Sequence, residues 1–265
     1  MSINKILIRI ALVSICILGI CISCDNNKGR VNPINFITTK SSDTSLFELN
    51  NGKYCQNIIN IQATLPINQY DSIKLDSITN LLLFNIDTKT INNSEIFTEY
   101  CKNLKADYGQ PSNIESVQRE QILYDNHTNI NIKPVYNKND IISLVKSVIT
   151  TNNRDTTANS NNYYNIDIRT AKEISLVDLF ANEDLEIVQQ ILVNNLFNQL
   201  EITNADELDD FGYFDANNII ATNNFYFTDN GIVWCYPVYE IACYAVGETN
   251  ILVTYNQLES ILIKN

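Results

Sequence analysis

The longest apolar stretch of the chain restricts the fold more than any other feature. It occupies residues 10–22, after the basic side chains Lys5 and Arg9, and polar sequence begins again at Asp25. A membrane-spanning helix needs about 20 apolar residues, and no later segment approaches that length. The rest of the chain is therefore predicted to bury its apolar residues in a folded body that lies beside a membrane and does not cross it.

The amino terminus is typical of a bacterial export signal. It has a basic start, a short apolar middle and a small residue, Ser23, before the predicted cleavage site. The run Cys21-Ile22-Ser23-Cys24 resembles the lipobox of bacterial lipoproteins, although Cys21 stands where that motif usually has Leu. We predict a signal peptide at residues 1–23 and an acyl chain such as palmitate on Cys24. An ordinary signal peptide without a lipid, or an uncut anchor, is the alternative.

The charge balance excludes one class of partner. The formal net charge is −12, and removal of residues 1–23 takes away two positive charges and no negative ones. Phosphate recognition needs a basic surface, so we do not expect nucleic-acid binding. An acidic exported protein attracts basic partners if it attracts any, and the alternative is that the charge serves solubility alone.

The first half of the chain shows helical and strand patterns after a polar segment. The polar residues 24–48 are predicted to be a flexible tether. Residues 49–156 are predicted to form an N-terminal α+β domain. Its elements are a strand at 54–65, helices at 72–84 and 94–108, and an antiparallel meander at 114–124, 129–136 and 140–150.

The second half is predicted to be a separate α+β domain, residues 157–265. The polar run at 150–162 is taken as the boundary, and a long hairpin loop inside one body is the alternative. A strand at 163–169, a helix at 183–200, a strand at 250–255 and a helix at 257–264 are predicted. The fold class is therefore α+β, with antiparallel sheets packed against a few helices.

A hairpin is predicted around Asn230-Gly231, a sequence suited to a type I′ turn. That register would pair Phe227 with Trp234 and Phe225 with Tyr236. Exposed aromatic residues of this region could stack on sugars, and core packing is the alternative. The candidate ligand-binding residues are Trp234, Tyr236, Tyr239 and Tyr244, with Tyr226 beside them.

Four cysteines follow Cys24, and an even number in an oxidising compartment permits two disulfides. The spacing does not fix the pairing, and buried free thiols are the alternative. A possible pair is Cys235 with Cys243. The four are Cys55, Cys101, Cys235 and Cys243.

The second half resembles a known family. The similar pieces are YNID at 164–167, ISLVDLF at 174–180, NFYFTDNG at 224–231 and YEIACYAVGE at 239–248. They resemble a domain of unknown function in the extracellular part of RsiV-type anti-sigma factors and in PdaC-type peptidoglycan deacetylases, as in lipoproteins of Bacteroides-like bacteria. The first half is similar, less closely, to the accessory domain that accompanies it.

The resemblance implies an α+β fold and, from the RsiV-type proteins, binding of lysozyme, a basic enzyme. We do not expect anti-sigma activity, because only a few residues precede the apolar run. Family members often have a Gly-Gly-Ala-His run where this chain reads Thr157-Ala158-Asn159-Ser160. We therefore assign to this chain no function that depends on that histidine.

The chain lacks the usual signs of an enzyme. His127 is its only histidine and lies in a turn-like polar segment. We therefore do not expect a catalytic triad or a metal site bound by several histidines. No Gly-rich phosphate loop or nucleophile elbow occurs. The acidic run at 206–210 lacks the spacing of a calcium loop and is expected to be solvated. We expect no catalytic residues, no metal and no cofactor.

These observations predict a non-enzymatic binding module in the cell envelope. The expected location is the outer membrane of a Gram-negative bacterium, on its periplasmic or surface side, through lipid on Cys24. The expected ligand is a macromolecule, either a basic protein such as lysozyme or peptidoglycan. The alternative is a cell-wall carbohydrate hydrolase that uses two carboxylates.

Overall fold

The structure is a computed structural model that describes residues 34–67, 72–86, 95–105, 112, 114, 117–153 and 155–263. The predicted signal peptide, the lipid site at Cys24 and the first part of the predicted tether lie outside the described residues. Across the described part of the chain, none of the helices has the length and apolar character that a membrane span requires.

A six-stranded sheet organises the first half of the chain. Its strands lie in sequence order, and every neighbouring pair is antiparallel except β2 with β3, which is parallel. The chain between β2 and β3 carries two helices and thus returns to the same end of the sheet. The strands are β1 Asn35–Glu48, β2 Tyr54–Ile67, β3 Ile122–Lys138, β4 Ile141–Asn152, β5 Asp155–Asp167 and β6 Lys172–Glu173.

Strand β1 corrects the prediction of a tether at residues 24–48. It pairs with β2 along its whole length, from Asn35 opposite Ile67 to Glu48 opposite Tyr54. Because β1 is an edge strand, its outward positions carry polar side chains, and only a few inward ones, such as Phe47, are buried. The polar composition of the segment therefore concealed a strand.

Strand β5 corrects the predicted domain boundary. The polar run at 150–162 forms the hairpin between β4 and β5, with Asn152 opposite Asp155. A boundary at residue 157 would cut β5 in two, so the described parts of the two predicted domains share one sheet. The alternative of a hairpin within one body describes this region correctly.

Two helices, α1 Ser72–Phe84 and α2 Ile96–Lys105, cover one face of this sheet. Helix α2 buries Ile96, Tyr100 and Cys101, a spacing that gives one face of a helix. Phe84, at the end of α1, meets the Tyr100 ring edge-on at a centroid distance of 5.2 Å. The two helices thus form one apolar core with the inward residues of β2 to β5.

A second core forms on the other side of the sheet. It lies between helix α4 and a three-stranded antiparallel sheet of order β7-β8-β9. Val188, Leu192 and Leu196 give α4 its buried stripe, and the helix ends where Glu201 adopts a left-handed conformation with φ of 58°. The elements are α3 Leu176–Leu179, α4 Leu185–Leu200, β7 Phe225–Phe227, β8 Gly231–Tyr236, β9 Thr249–Thr254 and α5 Tyr255–Leu258.

The β7–β8 hairpin forms at the predicted place with a different register. Phe225 lies opposite Trp234 and Phe227 opposite Ile232, a shift of two residues from the expected pairs. The turn runs from Thr228 to Gly231 and is held by the Thr228 hydroxyl, which accepts hydrogen bonds from two turn amides. No residue of this turn has a positive φ, so it is not of type I′.

A buried polar junction joins the two sheets. The Ser143 hydroxyl donates to the Asn165 carbonyl oxygen at 2.6 Å, and the Asn165 amide donates to the Phe225 backbone carbonyl at 2.7 Å. The Phe227 backbone amide in turn donates to the Ser143 hydroxyl at 3.2 Å. These bonds fix β7 on the six-stranded sheet, because a slip would leave buried polar groups without partners.

Lys146 predicts a pH dependence of stability. Its ammonium group lies under α1 and α2, donates to the Leu83 carbonyl at 2.5 Å and sits 4.6 Å from the centre of the Tyr100 ring. Burial lowers the pKa of Lys146 from 10.5 to about 8. Between these values the unfolded chain holds a proton that the folded protein has released, so this group makes the folded state more stable as pH rises.

Burial raises the pKa of Cys101 from 9.0 to about 11, which acts in the opposite direction above pH 9. The comparison is therefore between the protein and its Lys146→Met variant, measured by urea unfolding at several pH values. Between about pH 7.5 and 10 we expect the protein to gain about 1–2 kcal/mol relative to the variant, allowing for partial solvent screening. A difference that does not change with pH would contradict this assignment.

Candidate functional site

The structure separates the four predicted ligand-binding residues into two groups. Trp234 and Tyr236 are fully buried, so their assignment to a binding platform is wrong and the core alternative is correct. Trp234 packs against Phe180 and Phe225, and the Tyr236 hydroxyl donates to the Ile220 carbonyl. They point inward because this face of the hairpin meets the α4 core.

Tyr239 and Tyr244 lie on the surface, with exposed fractions of 68% and 70%. Phe211 and Phe214, which were not among the predicted site residues, are also exposed, at 46% and 38%. The Phe214 and Tyr239 rings meet edge-on with centroids 5.7 Å apart. We call Phe211, Phe214, Tyr239 and Tyr244 the aromatic surface.

Two loops carry this surface and are hydrogen-bonded to each other. One follows α4 and the other joins β8 to β9, and they meet at an isolated bridge between Tyr213 and Ala242. The Phe214 amide donates to the Ile241 carbonyl at 2.9 Å, and the Cys243 amide donates to the Gly212 carbonyl at 2.7 Å. Because both loops are tied together, the aromatic residues are held at the surface by backbone bonds.

Tyr239 has an uncommon backbone conformation. Its φ is +74°, in the left-handed region that large side chains rarely occupy. The turn is closed by a hydrogen bond from the Glu240 amide to the Pro237 carbonyl at 3.1 Å. Strained residues of this kind are enriched at binding sites, so the strain and the exposed ring make this turn a candidate binding site.

A cleft of about 400 Å³ lies beside the aromatic surface. Tyr213 and Phe214 form part of its wall, and three carboxylates line it: Asp206, Asp209 and Asp215. Two short 3-10 turns, Ala205–Glu207 and Asp209–Phe211, carry the predicted acidic run. The cleft is thus a mixed acidic and aromatic depression.

The charge of this region is one-sided. Residues 177–256 contain no Lys, Arg or His and thirteen Asp and Glu residues. Asp229, within this segment, forms an ion pair with Lys138 of β3. The aromatic surface therefore lies in a field that attracts cations.

The cysteines of the described residues are free thiols, including Cys235 and Cys243, so the possible disulfide between these two is not formed. Cys235 is buried. Its burial is the main cause that raises the pKa of the thiol, and the nearby Glu248 carboxylate raises it further. Cys243 lies beside Gly212, where an added Cβ would be 2.9 Å from its sulfur. The thiols here fill space in and near the core.

His127 lies in strand β3, which corrects the prediction of a turn, and its Nε2 is 3.1 Å from an Asp125 oxygen. Among the residues that the structure describes, no group of three His, Cys, Asp or Glu side chains is placed to hold a metal ion.

Comparison with known proteins gives a partial assignment. Residues 177–256 match the family described as "Protein of unknown function (DUF3298)". That segment includes the whole aromatic surface. Comparison with the curated proteins gives no match.

Two solved structures share the fold. A DUF3298 family member from Bacteroides fragilis superposes with a TM-score of 0.67 at 20% identity, covering 88% of this chain and 94% of its own. A DUF3298 family protein from Pseudomonas aeruginosa PAO1 superposes with a TM-score of 0.57 at 16% identity, covering 88% and 95%. These likenesses concern the fold, which confirms the α+β class and extends over both halves.

Proposed function

We propose that this protein is a lipid-anchored envelope lipoprotein that binds a basic macromolecule, without catalysis, through the aromatic surface. The observation that carries the proposal is the exposed aromatic surface within an 80-residue segment that contains carboxylates and no cationic side chain. A basic protein of the lysozyme kind is the best fit to this chemistry.

The arrangement resembles the anatomy of a protein interface. Aromatic residues, above all Tyr, supply large contact areas at binding sites, and charged residues are common at the rim. Tyr239 and Tyr244 provide such rings, and they also present π-faces to the Arg and Lys side chains of a partner. The surrounding carboxylates would accelerate encounter with a basic protein and repel acidic ones.

The resemblance of the four sequence pieces in the second half to RsiV-type anti-sigma factors and PdaC-type deacetylases supports this proposal. The lipobox-like run at Cys24 supports attachment to the outer membrane of a Gram-negative bacterium. A Cys24→Ala variant is expected to incorporate no labelled palmitate and to be released from membranes, because the acyl acceptor is lost. Labelling of the variant at the level of the unchanged chain would contradict the anchor.

The test of function is calorimetric titration of the full chain with a basic lysozyme at two salt concentrations. We expect binding, with an affinity that falls about tenfold or more between about 50 mM and 200 mM NaCl, because exposed charges are screened over a Debye length. A neutral protein of similar size serves as the control partner. An absence of binding, or an affinity insensitive to salt, would overturn the proposal.

The carboxylate hydrolase is the second candidate, and the observation in its favour is the cleft with Asp206, Asp209 and Asp215. It predicts release of reducing ends from peptidoglycan, lost in Asp→Asn variants at these positions. Peptidoglycan binding without release of products would favour the non-enzymatic function.

A further inference from the structure

The six-stranded sheet has an open face opposite α1 and α2. Side chains alternate along each strand, so residues next to those of the α1–α2 core point to this face. The β7–β9 layer covers the part of it that carries Ser143 and Asn165. Farther along, the face carries a row of paired positions running across five strands: Lys40, Gln62, Asn131, Ser147 and Asn161.

An open groove of about 430 Å³ crosses β1, β2 and β3 on this face. Hydrogen bonds orient part of its lining: the Ser42 hydroxyl donates to Asn60 at 2.8 Å, and the Asn60 amide donates to Asn129 at 3.1 Å. The side-chain amides of Gln62 and Asn131 are exposed and have no hydrogen-bond partner among the described residues. The groove therefore combines fixed amides with two amides free to bind a ligand.

The groove differs in charge from the rest of the molecule. Its lining contains one cation, Lys40, and no carboxylate, although the chain carries 30 Asp and Glu residues. A single cation is too little for a polyphosphate chain. The middle of the groove lies on β2 and β3, which are paired on both sides, so it presents side-chain amides and hydroxyls and no free backbone edge. The matching ligand is uncharged and offers both donors and acceptors.

We propose that this groove binds a neutral oligosaccharide of N-acetylated sugars. A side-chain amide has one carbonyl and one NH₂ group, which match the N–H and the carbonyl of an acetamido group as a pair of hydrogen bonds. Sugar hydroxyls fit the remaining donors and acceptors of Ser42, Asn60 and Asn129. The groove volume falls within the range of small-molecule sites. Because the groove is open, the affinity is weak, in the range of about 0.1–1 mM.

The test uses the full chain and saturation-transfer NMR with triacetylchitotriose, and cellotriose as the sugar without acetamido groups. We expect binding of the first and at least about tenfold weaker binding of the second. The variants Gln62→Glu and Asn131→Asp keep the shape and lose donors, so each is expected to weaken binding about five- to tenfold. Neither amide supports the fold, so unfolding should be unchanged.

Gln190→Glu, at an exposed position of α4, is the matched control and should leave sugar binding unchanged. Binding of lysozyme should be the same in all three variants, because the aromatic surface is separate from this groove. The proposal is overturned by equal binding of cellotriose, by no binding at millimolar sugar, or by an equal effect of Gln190→Glu.

Discussion

Tyr239→Ala is expected to weaken binding of a basic protein at least about tenfold without lowering the stability of the fold. The side chain is 68% exposed, and the ring contact seen for it is with Phe214. Truncation therefore removes little buried area from the folded protein. In a complex the same ring would be covered, and buried Tyr residues are among the side chains that contribute most to binding.

Val177→Ala is the matched control, since Val177 lies in the same half of the chain and is also 68% exposed. Calorimetric titration with lysozyme measures the two affinities, and urea unfolding checks both variants. An equal loss in the two variants would indicate a general change in the surface. Unchanged affinity in Tyr239→Ala would place the binding surface elsewhere.

Gly231→Ala is expected to destabilise the protein by at least about 3 kcal/mol. A Cβ at this position would lie 2.0 Å from the carbonyl oxygen of Val253 and 2.7 Å from the Cα of Thr254, both backbone atoms of β9. Gly231 has an ordinary φ, so the cost is purely steric. Relief would require β9 to move away from β8, and this pair forms the centre of the second core.

Gly52→Ala is the control variant. It measures the loss of stability caused by adding a methyl group to a glycine where no atom is close enough to clash. Gly52 has φ of +73° and nothing within 4 Å of an added Cβ, so only the backbone cost of about 1 kcal/mol is expected. Urea unfolding of both variants gives the comparison. A smaller loss in Gly231→Ala than in Gly52→Ala would contradict the close approach of β8 and β9.

Helical periodicity predicted α1 and α4 well, whereas the helix predicted at 257–264 is wrong in its bounds, because the structure has only the short α5 at Tyr255–Leu258. The bounds of α1 agree with the predicted 72–84, and α4, Leu185–Leu200, lies within the helix predicted at 183–200. Strand β1 was missed because an edge strand keeps polar residues outward, so its composition is that of a loop. The parallel pairing of β2 with β3 was missed because a crossover joins strands far apart in sequence, and local patterns carry no information about such pairs.

The candidate site was predicted in part. Tyr239 and Tyr244 were selected and are exposed, whereas Trp234 and Tyr236 were selected and are buried. The sequence identifies an aromatic hairpin, but which face of it is covered depends on α4, some 30 residues earlier. Phe211 and Phe214 were missed, although aromatic residues beside Gly212 within an acidic run were a usable signal.

The start of β1 at Asn35 limits how far the folded part of the protein would lie from a membrane to which Cys24 is anchored. With the proposed lipid on Cys24, the 10 residues 25–34 lie between the anchor and the sheet, which limits the span to about 40 Å. The chain enters beside Asn137, whose amide binds the Ile34 carbonyl, and β8 begins near that end through the Lys138–Asp229 pair. The loop with Tyr239 follows β8 about 20 Å farther on. The proposed anchor would thus keep the loop with Tyr239 within about 60 Å of the bilayer, so a soluble partner would have to come close to the membrane to be bound.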